Sequence, residues 1–138
     1  MRRELRSTKK GYRSVVRDGL AGFSLLDLAV SAEQASLRVR LLTGSPYLDG
    51  HFPGEAILPG VAQIALALHA GTLLRGGALA LGGVKEVRFR RPLRPEDEFE
   101  VVVMHGDADD EVRFEVRVGS AKAGTGILKV SRLANSRA

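Results

Sequence analysis

The chain has 138 residues, 44% hydrophobic and 27% charged, a balance that fits one globular domain with its own core. It holds no cysteine and three histidines, which excludes disulfide and thiolate chemistry and disfavours a structural zinc site, so no metal is expected. The formal net charge of +5 favours acidic partners through long-range steering, while 5% aromatic content offers no stacking platform for nucleic acid.

In chain order, residues 1–18 form a basic N-terminal arm, and residues 19–138 are expected to form a single domain. The arm lacks the following apolar stretch of about 7–15 residues that marks a secretory signal. No run of about 18 apolar residues exists anywhere, so no membrane span is expected and the cytoplasm is the expected compartment. Phe23 to Val30 is predicted to be a strand. Ser36 to Leu42 alternates, with Leu37, Val39 and Leu41 on one face and Ser36, Arg38 and Arg40 on a wet face. Thr43 to Gly54 is rich in Gly, Pro, Ser and Asp and reads as a loop.

Pro59-Gly60 then opens a helix that should run to about Leu74, where Gly76-Gly77 stops it. Between Val61 and Leu74 the only strongly polar side chains are Gln63 and His69, so the helix should be buried nearly all round. Four strands follow: Val84 to Phe89, Phe99 to Met104, Glu111 to Val118 and Gly126 to Leu133. In the third, Val112, Phe114, Val116 and Val118 should face the core, and Glu111, Arg113, Glu115 and Arg117 water. The fold class expected is α+β, a curved, mostly antiparallel sheet wrapped around one long central helix. One small sheet cannot cover such a helix completely, so a second copy is expected to cover the rest.

The loop feeding the helix carries His51 in the run GHFPGEAILPGV, Gly50 to Val61. A histidine there either serves as a base near neutral pH or bonds to nearby backbone. The helix start beside it has N–H groups without intrahelical partners, at the positive end of the helix. This run resembles the active-site segment of the β-hydroxyacyl-[acyl carrier protein] dehydratases, which have the hotdog fold. VKEVRFRRPLRPEDEFEV, Val84 to Val101, resembles the next two strands of that family and their Pro-containing turn. The LPGVAQI wording is also similar to the dehydratases of aryl-polyene biosynthesis.

The resemblance implies a hydro-lyase that converts a 3-hydroxyacyl thioester to the trans-2-enoyl thioester in fatty-acid or polyketide-type biosynthesis. It implies His51 as the base, and Gly60 and Val61 as the backbone donors to the thioester carbonyl, with Phe52 also against substrate. The substrate would ride on the phosphopantetheine of an acyl carrier protein, with no further cofactor. A homodimer is implied, or a heterodimer or higher oligomer.

One position departs from the family. The Glu or Asp that helps the hydroxyl leave, five residues after the Gly matching Gly60, is Ala65 here. His69, four residues on, shares that helix face and stands either as the replacement acid or as a structural hydrogen bonder. Gln63, on another face, reads as a packing or interface hydrogen bonder, and Asp49 and Glu55 as solvated loop residues. Arg88, Arg90, Arg91 and Arg94 form a basic stretch suited to docking the acidic carrier protein or its phosphate, or simply a solvated face. The missing acid leaves open an acyl-thioester-binding accessory subunit, or another hotdog thioester enzyme such as a thioesterase or isomerase.

Overall fold

The computed structural model describes residues 20–48 and 56–133. Its elements run β1 (Phe23–Val30), β2 (Gln34–Leu41), a 3-10 turn (Pro46–Leu48), α1 (Gly60–Arg75), β3 (Leu79–Phe89), β4 (Glu98–His105), β5 (Glu111–Val118) and β6 (Ala121–Arg132). The expected order of two strands, one helix and four strands therefore holds. The strands form one antiparallel sheet in the order β1-β2-β4-β5-β6-β3, with α1 packed across β2, β4, β5 and β3. A curved sheet closed around one helix is the expected hotdog arrangement. The basic arm expected at residues 1–18 lies outside the described residues.

The core follows from two periodicities meeting. The period of two puts Leu37, Val39 and Leu41 of β2, Val101 and Val103 of β4, and Val112, Phe114 and Val116 of β5 on the concave face. The period near 3.6 puts Ala62, Leu66, Ala67 and Ala70 of α1 opposite them, all fully buried. The alanines and Gly71 let the helix lie close to the sheet, and each large aliphatic side chain buried there contributes roughly 1.5–3 kcal/mol. Gly76, at φ 72°, ends the helix by donating its N–H to the Thr72 carbonyl at 3.0 Å. Among the described residues no helix is long and apolar enough to cross a membrane.

The structure corrects several expectations. The helix is not buried all round by its own sheet: Val61 is 66% exposed, and Ile64, Ala65, Leu68, His69 and Thr72 are only half-buried on the same side. Two residues placed on wet faces are buried, Ser36 and Glu111. Glu111 sits at the start of β5, where Lys85 Nζ reaches its carboxylate at 2.7 Å and Lys129 Nζ at 3.6 Å. The hydrogen bond from Lys85 is the main reason its carboxyl is held below the ordinary carboxylate range, against the opposing effect of burial. β3 and β6 each begin five residues before the predicted strands: Gly82-Gly83 and Gly124-Thr125-Gly126 interrupt the alternation, and the ladder continues on both sides of a register shift between Leu81 and Gly83.

Register is uninterrupted where β4 pairs with β2 and β5. Both outermost strands are irregular: β1 shifts register between Leu25 and Asp27, and β3 between Leu81 and Gly83 and again between Lys85 and Arg88. Within the second β3 bulge Glu86 takes φ 54°, a value uncommon outside glycine.

Candidate active site

The site is built around the start of α1. Leu58, fully buried, anchors the approach by donating its N–H to the Leu93 carbonyl at 2.8 Å. That bond ties the segment before the helix to the turn after β3. Pro59 is extended at φ −68° and ψ 154° and supplies no side-chain cap, and the first turn holds no acidic residue. The Pro59 carbonyl accepts the N–H of Ala62 at 3.0 Å. The N–H groups of Gly60 and Val61 are left at the positive helix end, whose first turn carries no acidic side chain. Such an end suits an oxygen that gains negative charge during a reaction.

Gly60 is required here by a close approach. A Cβ on it would lie 2.8 Å from Cδ2 of the Phe89 ring, with another ring carbon closer still. The same ring presses on β6 from its other edge: a Cβ on Gly124 would lie 3.0 Å from Phe89 Cδ1. Phe89, 39% exposed at the end of β3, thus seats its ring between two glycines and walls one side of the helix start. The sequence alone does not single out Phe89, since its role exists only through a glycine in the helix and another in β6.

Gln63 lies one turn into the helix on the side of Gly60. It is 2% exposed, yet among the described residues its Oε1 has no hydrogen-bond partner. That oxygen lies 3.1 Å from where a Gly124 Cβ would stand, beside the edge of the Phe89 ring. Leaving a buried polar atom unsatisfied typically costs about 1–3 kcal/mol. Of the two expected roles, packing or interface hydrogen bonder, the burial is found, and among the described residues Oε1 has no partner that would make it a bonder within the protomer.

Ala65 and His69 fall one turn apart on the half-buried side of α1 that also carries Val61. This side is turned away from the fully buried stripe of Ala62, Leu66 and Ala70. Arg88, Arg90, Arg91 and Arg94 are all exposed. The N–H groups of Arg90 and Arg91 both donate to the Ala123 carbonyl, at 2.8 and 3.3 Å, and the Arg94 N–H donates to Asp97 Oδ2 at 2.8 Å. These bonds hold the basic stretch next to Phe89 and Leu93, and so beside the helix start. His51 and Phe52, with Asp49 and Glu55, lie outside the described residues. Among the described residues no cluster of His, Asp and Glu could hold a metal ion.

Comparison with known proteins decides the family. The model of the ApeI-like family, described as ApeI dehydratase, matches residues 28–126. The chain belongs to the ApeI-like dehydratase family. It is 33% identical to a 3-hydroxyacyl-[acyl-carrier-protein] dehydratase FabZ from Roseiflexus sp. strain RS-1, over 79% of this chain and 77% of that protein. It is 38% identical to the FabZ of Syntrophobacter fumaroxidans, over 55% of this chain but only 58% of the relative's length. Among solved structures, the dehydratase heterocomplex ApeI:P from Xenorhabdus doucetiae superimposes with a TM-score of 0.65 at 25% identity, covering 74% of this chain and 90% of that one. The hotdog fold and a dehydratase-like character, both expected from the HFPG and LPGV motifs, are thereby shown.

Proposed function

We propose that the protein removes water from a 3-hydroxyacyl thioester carried on the phosphopantetheine of an acyl carrier protein, leaving the trans-2-enoyl thioester. The observation that carries this reading is the start of α1: an uncapped positive helix end at Gly60, in a chain of the dehydratase family. In the proposed reaction His51 takes the proton from the carbon next to the thioester carbonyl. The carbonyl oxygen, now enolate-like, is held by the N–H groups of Gly60 and Val61. The electron pair then closes the carbon–carbon double bond as the bond to the 3-hydroxyl breaks, and the departing hydroxide takes up a proton to leave as water. Phe52 and Phe89 bound the acyl chain. No resident cofactor enters the reaction, and its setting is the cytoplasm.

The apolar side left open in the protomer fits a second copy. β3 is one of the two outermost strands, and Leu81 and Val84 on it are 41% and 43% exposed. Pairing of β3 with its counterpart would extend the sheet and bring two helices together. Arg88, Arg90, Arg91 and Arg94, beside the helix start, suit the acidic carrier protein or its phosphate.

Purified protein given a 3-hydroxyacyl carrier substrate should form enoyl product by mass spectrometry. His51→Ala should lower the rate by roughly 10²–10⁴-fold. Undiminished turnover in that variant removes His51 from the mechanism. A second reading has support from Ala65: an accessory subunit that binds acyl thioesters and pairs with an acid-bearing relative. It predicts no turnover by the isolated protein and turnover after mixing with that relative. Ala65→Glu should raise dehydration if the rest of the site is intact.

A further inference from the structure

We infer that Gln63 is a positioning residue whose side-chain oxygen receives the hydrogen bond of the substrate's 3-hydroxyl. The inference rests on the dehydratase reading above and adds a group to it.

The argument begins with an imbalance inside the protomer. A glutamine carboxamide is 2% exposed in the fully buried stripe of α1, and its Oε1 is without a partner among the described residues. A Cβ on Gly124 would meet both that oxygen, at 3.1 Å, and the Phe89 ring, which carries no N–H or O–H. A leucine or methionine would fill the same volume without the buried polar oxygen. Retaining the oxygen makes chemical sense if a donor arrives with the ligand.

Position identifies which donor. Gly60 and Gln63 are three residues apart, on neighbouring positions of one helix side, with Gln63 the deeper. A Cβ on Gly60 and a Cβ on Gly124 would each meet the Phe89 ring, and the latter would also meet Oε1, so the helix start and the carboxamide flank the same ring. A thioester carbonyl held at Gly60 sends its phosphopantetheine outward and its acyl chain inward. The donors on the pantetheine arm therefore lie on the wrong side of the carbonyl. The 3-hydroxyl, two carbons deeper than the carbonyl, is the substrate's donor on the inner side. A carboxamide does not supply a proton to the leaving oxygen. It fixes the direction of the carbon–oxygen bond, which must align with the forming enolate, and leaves the proton to His51, His69 or water. This suits a chain in which Ala65 has replaced the usual acid.

The test compares the wild-type chain with Gln63→Leu and Gln63→Met, in binding and in turnover. The ligands are a 3-hydroxyacyl carrier thioester and the saturated acyl carrier thioester of equal length. Wild type should bind the hydroxylated ligand more tightly, by roughly tenfold. Both variants should lose that preference, keep their affinity for the saturated ligand and turn over more slowly. Their thermal midpoints should stay level or rise, because an unsatisfied buried oxygen has been removed. A purely structural glutamine predicts the reverse, a lower midpoint with the hydroxyl preference intact, and that result overturns the inference. Gln63→Glu adds a titrating group, so the pH profile of kcat should gain a limb absent from wild type. An unchanged profile also counts against the inference. If wild type binds both ligands but does not turn over, the dehydration reading fails, while the hydroxyl preference still reports on Gln63.

Discussion

The two sides of α1 are made from similar residues and meet opposite fates. Toward β2, β4 and β5, Ala62, Leu66, Ala67 and Ala70 are sealed against valines and leucines of the protomer's own sheet. On the other side, Val61, Ile64, Ala65, Leu68 and His69 remain accessible, and β3, which meets the helix at Gly60 and Gly71, exposes Leu81, Val84 and Phe89. Hydrophobicity alone does not distinguish the sides; the sheet's reach does. The closed side stabilises the fold. The open side is where a second subunit would meet the protomer, and the helix start, with Gly60 against the Phe89 ring, lies at the border between the two sides.

That division can be broken from either side. On the closed side, Leu66→Ala should lower stability by about 2–5 kcal/mol in chemical denaturation, as a fully buried leucine leaves a cavity. At the helix start, Gly60→Ala should lower kcat/KM by roughly 10²–10³-fold with the far-ultraviolet dichroism unchanged, because the new Cβ displaces the Phe89 ring and disturbs the N–H donors. On the open side, Val84→Lys should shift the protein toward monomer in analytical ultracentrifugation, with only about 0.5 kcal/mol or less of change in the protomer's own stability. Retention of the wild-type mass would place the subunit contact elsewhere than β3.

The smallest expected effect concerns Glu111, away from the helix start. Its carboxyl is held low chiefly by the hydrogen bond from Lys85, so its contribution is fully present above the ordinary carboxylate range. The contribution disappears as pH falls through the lowered value. Glu111→Gln should therefore lower the thermal midpoint at neutral pH and flatten its decline in acid. Parallel curves for the two proteins would show that the ion pair contributes nothing.

The fold was legible where one periodicity ran without interruption. β5 begins and ends where the alternation does, β1 where the aliphatic run does, and α1 begins at the Gly following Pro59. The early halves of β3 and β6 were not legible, because glycines there carry the ladder without marking a face. Glu111 looked like a water-facing residue by its place in the alternation, but Lys85 and Lys129 come from two other strands to bury it. At the site, the Pro-Gly step before an apolar run was enough to locate the helix start at Gly60, while the donor roles of Gly60 and Val61 are expectations from the family resemblance. Phe89 and Gln63 were hidden because their significance depends on Gly124, which is remote in sequence and adjacent only once β6 lies beside β3. His51 and Phe52 remain expectations from the motif.

The irregular outer strands have a consequence for how the chain behaves at high concentration. A flat strand with a full row of unpaired backbone groups is a template on which copies add without limit. Here both ends of the sheet are bent out of register, β1 once and β3 twice, while β4 pairs with β2 and β5 without a break. A copy approaching β3 finds only a short stretch of matching backbone, and one approaching β1 meets a kink. Unlimited addition of protomers along the sheet is thereby discouraged by backbone shape.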